Sequence, residues 1–255
     1  MVAIFDSKQI ELKHQRFIAR SQKASEPPLL LQEMQNRLLE ILLEEVKINP
    51  TSSLEIGYNG FWLFDTPQLQ ARFPDIINHK IEKLDKETIP LLADRVDVIV
   101  SLNLLHSIND VVGFLIQSKN LLNSGGLFLA SFVGGSSLKE LKQVFFDVEN
   151  RLLGGISPRF MPLIDVKNAG ILLQRANFST PLSFGEEIKV SYKDVYDLVS
   201  ALRSQGLGNV LLSKPKNSLN KRFFKEVNLA YENSFYADGG ILASFEIITL
   251  IGWKD

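Results

Sequence analysis

The sequence predicts one α/β domain with a Rossmann-like, mostly parallel sheet, an N-terminal helical lid and a helical insertion. Three observations predict it. Residues 53–57, 96–101 and 126–131 are short apolar runs with the near-continuous hydrophobicity of strands buried on both faces. Between the last two, residues 111–122 carry Val112, Leu115, Ile116 and Leu121 at helical spacing, so strand, helix, glycine turn and strand compose a parallel βαβ unit. With 255 residues, 45% of them apolar, the chain can bury a core large enough to need no disulfide or metal staple.

The remaining elements follow in order. Residues 1–50 form the lid. Within them, residues 8–20 interleave Ile10, Leu12, Phe17 and Ile18 with Lys8, Lys13, Arg16 and Arg20, which suits a short helix over a cleft and equally a solvated basic helix. Leu30, Leu31, Met34, Leu38, Ile41, Leu42 and Val46 give an amphipathic helix over 29–47, ended near Asn49-Pro50. The cofactor-binding core spans 51–135. Only about forty residues separate Glu55 from Asp97; with residues 79–85 taken as the third strand, no room remains for a second strand and its helix. Residues 136–240 supply an insertion and the remaining core: 138–178 read as helical, with Pro158 and Pro162 as punctuation and Asp165 capping a helix over 166–175, and further helices follow at 192–205 and 222–233. Residues 241–255 hold the final strand, rich in β formers and expected to run antiparallel.

Composition narrows the function. A formal net charge of -1 gives no basic field, so nucleic acid is not expected as a partner. The absence of cysteine removes thiolate nucleophiles, zinc thiolate sites and cysteine-held iron–sulfur clusters. His14 and His79 have no partner at metal-ligand spacing, and no metal site is expected. No segment has the apolar length of a membrane span or a signal sequence, and a cytoplasmic protein is expected.

In an open parallel sheet, ligands sit beyond the carboxyl ends of the strands at the switch point, where a glycine turn admits backbone amides to the ligand. The loop in question is Glu55-Ile56-Gly57-Tyr58-Asn59-Gly60-Phe61. It has the leading acid and first glycine of an acid-x-G-x-G-x-G turn, then departs, with Asn59 and Phe61 where the later glycines would stand. Taken alone, the loop also suits an ordinary strand-to-helix turn. Gly134-Gly135 is a turn or a phosphate nest. Tyr192, Tyr196, Arg203 and Phe223 are core or a substrate cap, and Arg159 and Arg175 are solvated or pair with an acidic carrier or a substrate carboxylate.

Residues 97–106, which end in Asn103-Leu104-Leu105-His106, and the later stretch Leu121-Leu122-Asn123-Ser124-Gly125-Gly126 resemble the fourth-strand and post-helix motifs of class I S-adenosylmethionine-dependent methyltransferases. More narrowly, Phe132-Val133-Gly134-Gly135, Gln174-Arg175-Ala176-Asn177-Phe178, Tyr192-Lys193-Asp194-Val195-Tyr196 and Gly252-Trp253-Lys254 resemble the group that contains the malonyl-acyl-carrier-protein O-methyltransferase of biotin synthesis and the mitochondrial complex I assembly factor. The resemblance implies the class I methyltransferase fold and S-adenosylmethionine as cofactor. It implies that Glu55, Gly57, Asn59 and Gly60 cradle its methionine end, that Asp85 contacts adenine, and that Asn103 lies beside the cofactor with His106 near the transferred methyl. The family's ribose-binding acid, which ends the second strand, has no evident counterpart; Asp65 and Asp75 are the candidates. Three functions are carried forward: a methyltransferase acting on a small carboxylate or carrier-bound acyl group; an assembly factor, from a family linked to arginine hydroxylation, acting on a respiratory-complex subunit; and a cofactor-free binding module.

Overall fold

The computed structural model describes residues 3–21, 27–57, 60–215, 219–237 and 239–255. Two helices, α1 (Ser7–Ser21) and α2 (Leu29–Glu40), precede the sheet, α2 running on through a π-helical turn at Ile41–Glu45. The core then alternates β1 (Ser52–Ile56), α3 (Pro67–Arg72), β2 (Ile77–Ile81), β3 (Val96–Leu102), α4 (Val111–Leu121) and β4 (Leu122–Val133). After it come α5 (Lys139–Leu153), α6 (Val166–Arg175), β5 (Ser179–Tyr192), α7 (Val195–Ser204), α8 (Lys221–Phe235), β6 (Tyr236–Ala237) and β7 (Gly240–Trp253).

The sheet runs in the order β2-β1-β3-β4-β7-β5, with β6 hydrogen-bonded to one end of β7. β2, β1, β3 and β4 are parallel, and β7 lies antiparallel between β4 and β5. Because neighbouring side chains on a strand point to opposite faces, β3 divides its apolar residues between two cores. Val98, Val100 and Leu102 face α2 and the later helices through Met34, Leu38 and Ile41, while Ile99 faces α4 and α6 through Phe114, Leu115 and Leu173. The chain passes from β1 to β2 on one side and returns to β3 on the other, so the switch point lies between β1 and β3.

Two expectations are corrected here. The strand expected as the third pairs directly with β1, from Ser52↔Ile77 to Ile56↔Ile81, and is the second strand by topology. The six-residue α3 is too short a crossover to carry the chain past an intervening strand, so among the described residues it is the third strand that is missing. The second correction is β5. Its 14 residues were not anticipated as a strand, yet they pair with β7 from Leu182↔Ile251 to Tyr192↔Ile241. The helices beside it are correspondingly shorter than expected. α5 stops at Gly154, whose φ of 71° is a left-handed C-cap, and α7 starts only after Asp194, whose side chain accepts from the Asp197 amide.

The lid is tied down at its base. Asn109 Oδ1 accepts from the amides of Ile4 and Phe5, Asp6 N donates to the Val210 carbonyl, and Lys13 Nζ donates to the Asn209 carbonyl. These bonds hold α1 between the turn after β3 and the loop before α8. Among the described residues no helix is long and apolar enough to cross a membrane, and no group of histidines and acids is arranged to hold a metal ion.

Candidate functional site

At the carboxyl end of β1, the Glu55 side chain is 2% exposed and fully engaged. Its carboxylate accepts from the amides of Leu63 (2.5 Å) and Phe64 (2.9 Å) and from Asn78 Nδ2 (2.8 Å). Burial pushes its pKa above the usual carboxylate value, against the pull of those three donors. Glu55 therefore organises the turn that leads into α3. The Gly57 amide is also committed, donating to the Ile81 carbonyl at 3.1 Å in continuation of the β1–β2 ladder. Asn59 lies outside the described residues. Gly60 is exposed with φ of 69°, a left-handed conformation that glycine adopts without strain. Phe61 then folds back against the core, and the space bounded by Glu55, Ile56, Phe61, Trp62, Val100 and Leu102 is too small for a water molecule.

An open cleft of about 370 Å³ lies to one side, beneath α1 and between the turns that follow β2 and β3. Ile10, Ile18, Leu84 and Ile108 supply apolar walls, and Glu82 and Asp85 supply acids. Glu82 immediately follows β2, is exposed, and accepts no hydrogen bond among the described residues. Asp85 opens a tight turn closed by the Thr88 amide on its carbonyl at 2.9 Å. In the same turn, Glu87 takes the Asn109 and Asp110 amides at 2.8 and 2.9 Å and so couples the cleft floor to the turn after β3.

Asn103 directly follows β3, at φ of 52°. Its amide donates to the Ser131 carbonyl and its Nδ2 to the Gln205 carbonyl, while Oδ1 is buried with no partner. His106, in the next turn, is 4% exposed, and its Nδ1 has no partner. Burial pushes its pKa down to about 4, so at neutral pH the ring is uncharged. α1 brings His14 close by, and burial together with His106 pushes that ring down to about 3. His106 faces a second cleft, of about 300 Å³, on the other side of the turn.

The site residues expected from the sequence therefore divide. Glu55, Gly57 and Gly60 belong to the turn after β1, Asp85 to the open cleft, and Asn103 and His106 to the end of β3. The residue that sequence reasoning missed is Glu82. Of the two replacements considered, Asp65 is paired with Lys80 at 2.6 Å, and Asp75 sits exposed in the turn before β2. Of the other motifs, the amides of Gly134 and Gly135 donate to the carbonyls of Glu246 and Ile164 and form no nest, and Arg159 is held by the buried Glu149 at 2.6 Å. Tyr192 and Phe223 are core, while Tyr196 and Arg203 are exposed.

The cofactor implied by the sequence thus meets a divided fit. An exposed carboxylate at the end of the strand beside β1, with apolar walls next to it, suits a nucleoside. At the methionine end, a committed Gly57 amide and a space closed by Phe61 do not match the expected cradle.

The comparisons with known proteins bear on family and fold. The chain is 32% identical to the mouse mitochondrial arginine-hydroxylase NDUFAF5 over 171 residues, which cover 67% of this chain and 50% of that protein. Across the NDUFAF5 proteins of several species the match spans between 39% and 53% of the relative's length. It is 25% identical to the malonyl-[acyl-carrier protein] O-methyltransferase of Gallionella capsiferriformans, covering 89% of this chain and 84% of that one. A solved structure of a candidate methyltransferase from Bacillus halodurans matches 86% of this chain and 98% of its own, with a TM-score of 0.50 at 14% identity, a likeness of fold. No protein-family model matches the chain.

Proposed function

We propose, from the premise that the chain belongs to the class I S-adenosylmethionine-dependent methyltransferase group, that it binds the adenosine part of S-adenosylmethionine in the cleft beneath α1 and acts on a small carboxylate or carrier-bound acyl group. The observation that carries this reading is Glu82: a carboxylate without a partner, directly after the strand that flanks β1, where the family places its ribose-binding acid. Glu82 holds the ribose hydroxyls, Leu84 and Ile108 flank the base, and Asp85 on the same rim takes the adenine contact. The methionine end falls to the loop of Gly57, Asn59 and Gly60, and Phe61 must swing aside to admit it. When bound, the cofactor supplies an electrophilic methyl group. The chain's own contribution is alignment and the exclusion of water by α1, with Asn103 and the uncharged His106 beside the acceptor.

Calorimetric titration tests this. The wild-type protein binds S-adenosylmethionine at micromolar concentration. Glu82→Ala weakens binding by about tenfold or more, the worth of one charge-assisted hydrogen bond. No heat at millimolar ligand overturns the reading.

The closed space at Phe61 and the NDUFAF5 likeness favour a second reading, a non-methylating factor that acts on a respiratory-complex subunit, or a cofactor-free binding module of the same fold. In that case the substitution Gly57→Arg leaves biological activity intact, and a strain lacking the protein loses respiratory complex I activity.

A further inference from the structure

We infer that the cleft beyond the turn after β3 is a second ligand site, which takes a small monocarboxylate with an apolar body. This deepens the reading above, which places a carboxylate acceptor beside His106, and it is tested apart from cofactor binding.

The cleft is bounded by Ile4 and Phe5 of the strap before α1, by the 105–112 segment, by residues 162–164, and by Leu172 and Arg175 of α6. Its volume of about 300 Å³ is at the lower end for ligand sites, which limits the occupant to a small molecule. The lining is apolar except for His106, Asn109, Asp110 and Arg175. Asn109 is spent on the amides of Ile4 and Phe5 and on Glu87, and the Asp110 carboxylate folds over the start of α4, Oδ1 accepting from the Gly113 amide and Oδ2 lying against Gly113. Two polar groups remain. The Arg175 side chain makes no ion pair or hydrogen bond among the described residues, in contrast to that of Arg159, which Glu149 holds. His106 is almost fully buried with Nδ1 unpartnered, and an uncharged ring tolerates an apolar neighbour that a protonated one would not. An apolar pocket with one uncommitted guanidinium at its edge selects a hydrophobic body that ends in a carboxylate, because the planar fork matches that anion with two donors.

The site is also joined to the first cleft. Ile108 lines both, and the strap that walls the second cleft leads directly into α1, which covers the first. An occupant that packs against Ile4 and Phe5 therefore steadies α1.

Titration with phenylacetate in the absence of any nucleoside, followed by the ring resonances of the protein's three histidines, tests the inference. Binding is expected with the resonance of His106 shifting and that of His79 unmoved. The neutral amide phenylacetamide, and phenylacetate with Arg175→Gln protein, bind at least about tenfold more weakly, as loss of a charge-assisted pair requires. Leu172→Glu, which places a like charge in the apolar wall, abolishes binding while circular dichroism shows the fold retained. Equal affinity for acid and amide, an unaffected Arg175→Gln, or no shift at about 10 mM ligand overturns it. Since no nucleoside is present, failure here leaves the reading of the first cleft untouched.

Discussion

His106 and His14 sit where burial keeps them uncharged, with folded pKa values of about 4 and about 3 against 6.5 for the exposed ring. Between about 6.5 and these values the unfolded chain takes up protons that the folded chain does not, so stability present above pH 6.5 is lost as pH falls through that window. The single shift at His106 is worth about 3 kcal/mol. Urea unfolding measured from pH 7 to pH 4 should show this loss, and His106→Leu should flatten the slope. His14 and Lys13 are the titratable neighbours on α1, and Lys13 is itself pushed down to about 8 by burial and by Lys214, Arg16 and Arg203, outside the window concerned. At this scale the sequence was informative about residue type and silent about partners. Glu55 beside Gly57 was visible as an acid at a strand end. That its carboxylate is consumed by the Leu63 and Phe64 amides depends on a turn whose path no spacing rule predicts.

α1 owes its position to few bonds, and Asn109 supplies two of them through a single oxygen. Asn109→Ala should leave the sheet intact while the amides of α1 exchange at least about tenfold faster, because a local opening free energy falls by the worth of one or two hydrogen bonds. Exchange mass spectrometry resolves α1 from β3 and checks it; equal acceleration in both would mean global destabilisation instead. The parallel strands and α4 were legible because their apolar runs and helical stripe are strong local signals. β5 was not. Leu182, Phe184, Ile188, Val190 and Tyr192 do alternate with polar residues, but Pro181, Gly185 and the pair Glu186-Glu187 mask the pattern, and half of the strand's 14 residues are exposed. β2 was found but misplaced in the order, since strand numbering is a long-range property set by pairing partners. That single misplacement hid Glu82.

For the molecule as a whole, a ligand that binds only the folded chain adds to its stability by mass action. If the first cleft holds S-adenosylmethionine, a concentration of about 100 times the dissociation constant adds about 2.7 kcal/mol, and for a chain of this size the unfolding midpoint rises by about 5–10 °C. A thermal melt with and without the cofactor reads this directly, and an unchanged midpoint contradicts it. The sheet itself ends at β2, five residues long, with no further strand beside it among the described residues. Its outward row of amides and carbonyls is a template to which any extended peptide can add. Brevity is one guard against that, and charge is another: Lys80 stands in this strand with its ammonium drawn toward Asp65 and the Trp62 ring. With no third strand among the described residues, this border lies open, and the same lysine that steadies the turn after β1 sets a charge along it, a local guard against a neighbouring copy zipping on.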